Sequence, residues 1–128
     1  MKCLLDTHAL VWWLLDDPKL GADAHRMIAD MENDILVSAV TALEIATKVR
    51  IGKWPEVAAI ATNFETLVAA EKFAILDLTA GHARLAGSID SEHRDPFDRM
   101  LAAQCKLDGL ALVTADSAFR DFAIEIIW

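Results

Sequence analysis

The chain has 128 residues, enough to bury a single core of two or three layers. Hydrophobic residues make up 55% and charged residues 25%, which excludes a disordered chain and places it among globular proteins. A formal net charge of −8 speaks against a protein that grips duplex DNA by general attraction, and suits a mate for a basic partner.

The charge leaves a nuclease open, because acidic metal ligands are themselves negative. Cys3 and Cys105 fit no metal or redox spacing, so they read as buried free thiols of a reducing cytosol. Asp6 interrupts the first apolar run before a signal peptide could form, and the longest later run, Ala9 to Leu15, is too short to cross a bilayer. The expectation is a cytoplasmic protein with no membrane contact.

In chain order, Cys3-Leu4-Leu5 is a short apolar run without alternation, as in a strand covered on both faces. It stops at Asp6-Thr7. Leu10 to Leu15 reads as a short helix apolar on all sides, ended by Asp16-Asp17-Pro18. Trp12 and Trp13 on it either fill the core or meet another chain. Residues 22–32 read as a helix with Met27, Ile28 and Met31 on one face, and Ile35-Leu36-Val37 as a second strand ending at Ser38. A helix from about Thr41 to Arg50 stops at Gly52, and Pro55 opens a long amphipathic helix through Ile60, Phe64 and Val68. Ala74 to Leu78 is the third strand, and Thr79 caps a helix reaching Ile89. Asp95-Pro96 begins another helix, closed by Asp108-Gly109. Leu110 to Val113 is the fourth strand, a helical turn spans Ser117 to Asp121, and Ile124 to Ile127 reads as an edge strand. Strands alternating with helices predict one domain over residues 1–128, a three-layer α/β/α sandwich with a mainly parallel central sheet of four to five strands.

In such sheets ligands sit beyond the carboxyl ends of the strands. Asp6 follows strand one, Asp116 lies three residues past strand four, and Glu44 sits early in the helix after strand two. Asp98 opens the helix that leads into strand four. Each has a simpler reading: Asp6 and Asp116 can cap helices, Asp98 can be the third residue of a helix capped by Asp95 with Pro96 first, and Glu44 can pair with Lys48 on a solvated surface. If the four converge they form a cup of oxygen ligands that cannot all ionise uncompensated. A divalent cation is the natural compensation, and an all-oxygen set suits Mg²⁺ or Mn²⁺. The histidines, His8, His25, His82 and His93, show no ligand spacing. The implied chemistry is metal-assisted phosphodiester hydrolysis.

Leu4-Leu5-Asp6-Thr7, Ser38 to Glu44, His93-Arg94-Asp95-Pro96-Phe97-Asp98-Arg99 followed by Ala102-Ala103-Gln104, and Leu112-Val113-Thr114-Ala115-Asp116 resemble the PIN-domain ribonucleases. More narrowly, the chain is similar over its whole length to the VapC-type toxins of type II toxin–antitoxin pairs. The resemblance implies Asp6, Glu44, Asp98 and Asp116 as catalytic, metal-binding acids, with Thr7, Thr114 and Asp95 in support. It implies Mg²⁺- or Mn²⁺-dependent endoribonuclease cleavage of single-stranded or structured RNA leaving a 5′-phosphate, a homodimer, and a small antitoxin whose tail enters the active-site groove. With a net charge of −8, local cations must hold the RNA phosphates: Lys48, Arg50, Lys53, Arg94 and Arg99 are the candidates, against an ordinary solvated face or internal pairing. Leu43 departs from the Trp that close relatives often carry there, so the packing of that helix is expected to differ. The competing reading is a catalytically inactive PIN-fold module that acts only by binding protein, with Trp12 and Trp13 at the interface.

Overall fold

The computed structural model describes every residue from Met1 to Trp128. Its centre is β1 (Lys2–Leu5), whose residues Cys3, Leu4 and Leu5 have no exposed surface. Alternate side chains of a strand point to opposite faces. Accordingly Cys3 and Leu5 join the larger apolar cluster with Leu10, Ile45 and Phe64, while Leu4 joins the smaller one with Leu101, Leu112, Phe119 and Phe122. Full burial of such a side chain contributes about 1.5–3 kcal/mol, so one strand supplies both cores.

Around β1 stand β2 (Asp34–Ser38), β3 (Ala74–Leu76), β4 (Ala111–Val113) and β5 (Ile126–Ile127), in the order β3-β2-β1-β4-β5. Every pairing is parallel, β5 included. Helices cover both faces: α1 (Thr7–Leu14), α2 (Ala22–Ala29), α3 (Ala39–Arg50), α4 (Ala58–Thr62), α5 (Phe64–Ala70), α6 (Ala80–Ser88) and α7 (Pro96–Asp108). The α/β sandwich expected from the alternation is the fold found. From β1 the chain steps outward one way through β2 and β3, then returns to the other side for β4 and β5. The order therefore reverses between β1 and β4, the crevice where parallel sheets bind ligands.

Several boundaries differ from the sequence reading, each for a local reason. The helix expected from Pro55 is a 3-10 turn at Pro55–Val57, then α4 and α5 with a break at Asn63. Asn63 turns its amide onto Ala59 O at 2.9 Å, competing with the helical ladder. Val57, Ile60, Phe64 and Val68 stay buried across the break, so the apolar spacing is kept. Residue 31 lies outside α2: Asp30 adopts an extended backbone and accepts from Glu32 N at 3.0 Å, leaving Met31 80% exposed rather than on the buried face. α3 begins at Ala39, earlier than Thr41, because the Ser38 hydroxyl already caps it through Val40 N at 3.0 Å. β3 stops at Leu76, so Asp77 and Leu78 lie beyond the strand, and β5 is only two residues long. Leu43 is 56% exposed, so its difference from Trp touches no core contact.

α7 matters most for the site. Asp95 caps it by accepting from Phe97 N and Asp98 N, Pro96 occupies its first position, and Gly109 ends it at φ 66°. That glycine precedes β4 at the amino edge of the sheet, so the start of α7 must lie at the carboxyl edge. Buried His82 ties α6 to α7: its Nδ1 accepts from Thr79 N at 3.0 Å, and its Nε2 lies 3.1 Å from Asp108 Oδ2. No helix is long and apolar enough to cross a membrane.

Trp12 and Trp13 lie half-buried at the margin of the larger cluster. Trp12 meets His8 and Trp128, and Trp13 meets His25 and Phe73 while donating from Nε1 to Glu71 Oε2 at 3.1 Å.

Candidate active site

Four segments end at the reversal crevice, and each brings a carboxylate. Asp6, Glu44, Asp98 and Asp116, with Asp95, Thr7 and Lys48, line one cleft of about 180 Å³. The capping and cleft roles coincide. Asp6 caps α1 by accepting from Ala9 N at 2.7 Å, and Asp116 caps the turn at Ser117–Phe122 by accepting from Ala118 N at 2.9 Å. A cap uses one carboxylate oxygen and fixes the rotamer of the group, leaving the second oxygen for other work.

Asp6 and Glu44 are buried. Burial raises the pKa of Asp6 above its ordinary value, and the Thr114 hydroxyl and Ala9 N–H pull the other way. Thr114, itself buried, also accepts from Asp116 N at 3.0 Å, so one hydroxyl ties the Asp116 turn to Asp6. Glu44 spends both oxygens: Oε1 accepts from Thr7 Oγ1 at 2.6 Å and Oε2 from Lys48 Nζ at 2.7 Å. The surface pair expected from the Glu44–Lys48 spacing is thus a contact inside the cleft.

Asp98 is pushed up to about 6, mainly by burial, with the charges of Asp95 and Glu44 adding and the bond to His93 opposing. His93 Nε2 lies 2.8 Å from Asp98 Oδ2, and its ring rests on Phe119 and Phe122. His93 has no metal-ligand spacing to mark it in the sequence. The available signal was its position in the turn before Asp95-Pro96, where the chain folds back over the first turn of α7.

The cations divide. Lys48 lies in the cleft. Arg50, Lys53 and Arg94 are exposed, and none lines the cleft. Arg99 points into its own loop: Nε donates to Ala86 O at 2.7 Å, Nη1 to Ser91 O at 3.1 Å and His93 O at 2.8 Å, and Nη2 to Ile89 O at 2.6 Å.

A family model for the PIN domain matches residues 3–125. The chain belongs to the PIN-domain family. No curated protein matches it by sequence. Among solved structures, this PIN domain is similar to a chain of VapBC2 from Rickettsia felis bound to a promoter DNA fragment, with a TM-score of 0.69 and 17% identity over 98% of this chain and 97% of that one. A chain of FitAB bound to IR36 DNA gives 0.66 and 20% over 98% and 93%. A chain of a toxin–antitoxin complex from Klebsiella pneumoniae gives 0.59 and 20% over 94% and 90%. At these identities the likeness is one of fold.

The donor set of this PIN domain fits a hard divalent cation in kind, since every cleft acid offers oxygen. No three acidic or histidine side chains converge closely enough to enclose an ion by themselves. Each Glu44 oxygen keeps a free lone pair beside its bond to Thr7 or Lys48, so Glu44 can join such a set while both ties stand.

Proposed function

We propose that this PIN domain is a divalent-metal-dependent endoribonuclease, the toxin of a toxin–antitoxin pair. The observation that carries the reading is the gathering of Asp6, Glu44, Asp98 and Asp116 from four separate segments into one cleft at the reversal of strand order. PIN domains are generally nucleases, and the similar solved structures include chains of toxin–antitoxin complexes. A resident Mg²⁺ or Mn²⁺, held among Asp6, Glu44, Asp98 and Asp116 with water completing its shell, would supply Lewis acidity for the phosphodiester and a more acidic water.

The chain's own groups divide the remaining work. Thr7 holds Glu44, Thr114 braces Asp6 and the Asp116 turn, and His93 orients Asp98. Lys48 brings a fixed cation to the cleft for a phosphate oxygen, while exposed Arg50, Lys53 and Arg94 draw the RNA backbone in. Arg99 has four of its five donors committed to backbone carbonyls, which leaves it a minor part in phosphate binding. Asp95 serves as the cap of α7. A basic antitoxin suits the charge of −8, and the half-buried Trp12–Trp13 margin is the surface offered to a partner or a second copy.

The test is cleavage of an RNA panel by partner-free protein with and without Mg²⁺ or Mn²⁺, beside Asp98→Asn. Metal-dependent cutting that Asp98→Asn loses is expected. Wild type that cuts nothing with either metal would overturn the enzyme and leave a binding module.

A further inference from the structure

Beside the acidic cleft runs a row of aromatic rings. His8 lines the cleft from the first turn of α1, with its side chain exposed. Its ring lies 5.0 Å from Trp54, tilted by 30°, and 5.3 Å from Trp12, which meets Trp128 at 5.7 Å. Trp54 reaches this row through the turn that ends α3. Gly52 adopts φ 76°, and Lys53 N and Trp54 N both bond back to Lys48 O, at 2.9 and 3.2 Å. The turn sets the Trp54 ring 5.6 Å from Lys48 Nζ, the same ammonium that sits 2.7 Å from Glu44. Lys19 Nζ lies 6.0 Å from the Trp12 ring, and Arg50 and Lys53 are exposed near the same turn.

We infer that the His8–Trp54 pair is a stacking platform for an unpaired nucleobase of the RNA strand whose phosphate enters the acidic cleft. The inference rests on the cleft being a ribonuclease site and names the side chains that would meet a base beside it. Sites for single strands combine cations that follow the backbone with aromatic rings on which bases stack. Here the two are interleaved, Lys48 serving the phosphate side and Trp54 the base side. The His8 side chain is exposed, and the Trp54 ring, packed at the margin of the larger cluster, is only half-buried, so both keep surface open to a ligand. Lys48, Arg50 and Lys53 beside the His8–Trp54 pair favour, at that pair, a chain that carries phosphates over an apolar protein partner. Bases in a duplex are already stacked and paired, so the platform selects loops, bulges and ends.

The test compares short oligo(U) and oligo(A) with an abasic ribose-phosphate strand of equal length, followed by fluorescence anisotropy in an Asp98→Asn background so that nothing is cut. Base-bearing strands are expected to bind roughly 10-fold more tightly than the abasic strand. Trp54→Leu should remove most of that difference without weakening the abasic strand, and Trp54→Phe should restore much of it. His8→Ala, at an exposed side chain, should shift binding the same way and decides the matter if Trp54→Leu fails to fold. Equal binding of base-bearing and abasic strands overturns the platform and leaves the rings to packing or to a protein partner. Unchanged oligo(U) and oligo(A) binding in a folded His8→Ala and Trp54→Leu overturns it as well. Ring-dependent binding by a wild type that cuts no RNA would keep the platform and sink the ribonuclease. Cutting with an unchanged KM in Trp54→Leu would keep the ribonuclease and sink the platform.

Discussion

Thr7 on α1 donates its hydroxyl hydrogen to Glu44 on α3 across 2.6 Å, joining the helix that follows β1 to the helix that follows β2 inside the cleft. Glu44 passes the tie on to Lys48 at 2.7 Å, and Lys48 to the Trp54 ring at 5.6 Å. One line of contacts thus runs from the end of the central strand to the outer wall of the site. A carboxylate held from two sides keeps its place while the groups around it change.

Replacing Thr7 by Val keeps the shape and removes the donor, leaving Glu44 Oε1 without its short bond. Hydrogen bonds to charged groups contribute about 1.5–3 kcal/mol, so Thr7→Val should lower the stability read from urea unfolding by about that amount. Thr7→Ser restores the donor and should recover most of it. RNA cleavage should fall in Thr7→Val and return in Thr7→Ser. Equal urea midpoints for wild type and Thr7→Val would show that the bond contributes nothing.

Asp98 carries a pH signature. Its carboxyl is raised from 3.8 to about 6 in the folded chain, chiefly by burial, so between those values the folded state holds a proton that the unfolded state has released. The group therefore favours folding below its unfolded pKa, and that contribution is lost as pH rises through about 6. Without metal, wild type should lose stability relative to Asp98→Asn on going from pH 4 to pH 7. A divalent ion needs the ionised form, so the rise in Tm with Mn²⁺ should grow over the same window and vanish in Asp98→Asn. A metal shift of equal size at pH 5 and pH 7.5 would place the ion away from Asp98.

Much of this was legible in the residues because strand ends announce themselves. The apolar runs at Cys3–Leu5, Ile35–Val37 and Leu110–Val113 each stop at a polar group, and a parallel sheet sends those stops to one edge. Asp98 was harder to place, since it follows a helix rather than a strand. The direction of α7 settles it, because a helix feeding the amino end of β4 has to begin at the other edge. What escaped was tertiary. Nothing in the spacing says that Arg99 turns inward to four carbonyls, that His93 folds back onto Asp98, or that His8 lies beside Trp54, because each is decided by the path of a loop. The break at Asn63 escaped for a different reason: the apolar spacing continues through it, and only the side-chain amide competes with the helix.

Gly21 tests the closing of the fold at Trp128. A Cβ built on Gly21 would lie 2.7 Å from Trp128 Cδ1 and 2.8 Å from its carbonyl carbon, although the Gly21 backbone, at φ −61°, accepts any residue. The strain in Gly21→Ala is therefore steric, and overpacking of this kind costs typically 1–3 kcal/mol. Trp128→Ala removes the indole that causes part of the clash. The double variant should then lose less than the sum of the two single losses, as expected for residues in contact. Strict additivity in thermal unfolding would show that the two positions do not meet.

Arg99→Lys separates structure from recognition at the site. The guanidinium reaches Ala86, Ile89, Ser91 and His93 carbonyls at once, at 2.6–3.1 Å, and so fixes the loop that delivers His93 to Asp98. A lysine keeps the charge but has a single nitrogen, which cannot span that fork. Several carbonyls would lose their donor, so the variant should be less stable by roughly 2 kcal/mol or more, and cleavage should fall because Asp98 loses its orienting partner. Arg94→Ala provides the contrast. Arg94 is exposed, so its loss should leave stability within about 0.5 kcal/mol and weaken RNA binding in a way that fades as salt rises. If Arg99→Lys instead matched Arg94→Ala, with an unchanged urea midpoint and only a salt-dependent loss of binding, Arg99 would be a phosphate contact and the loop would be held by other means.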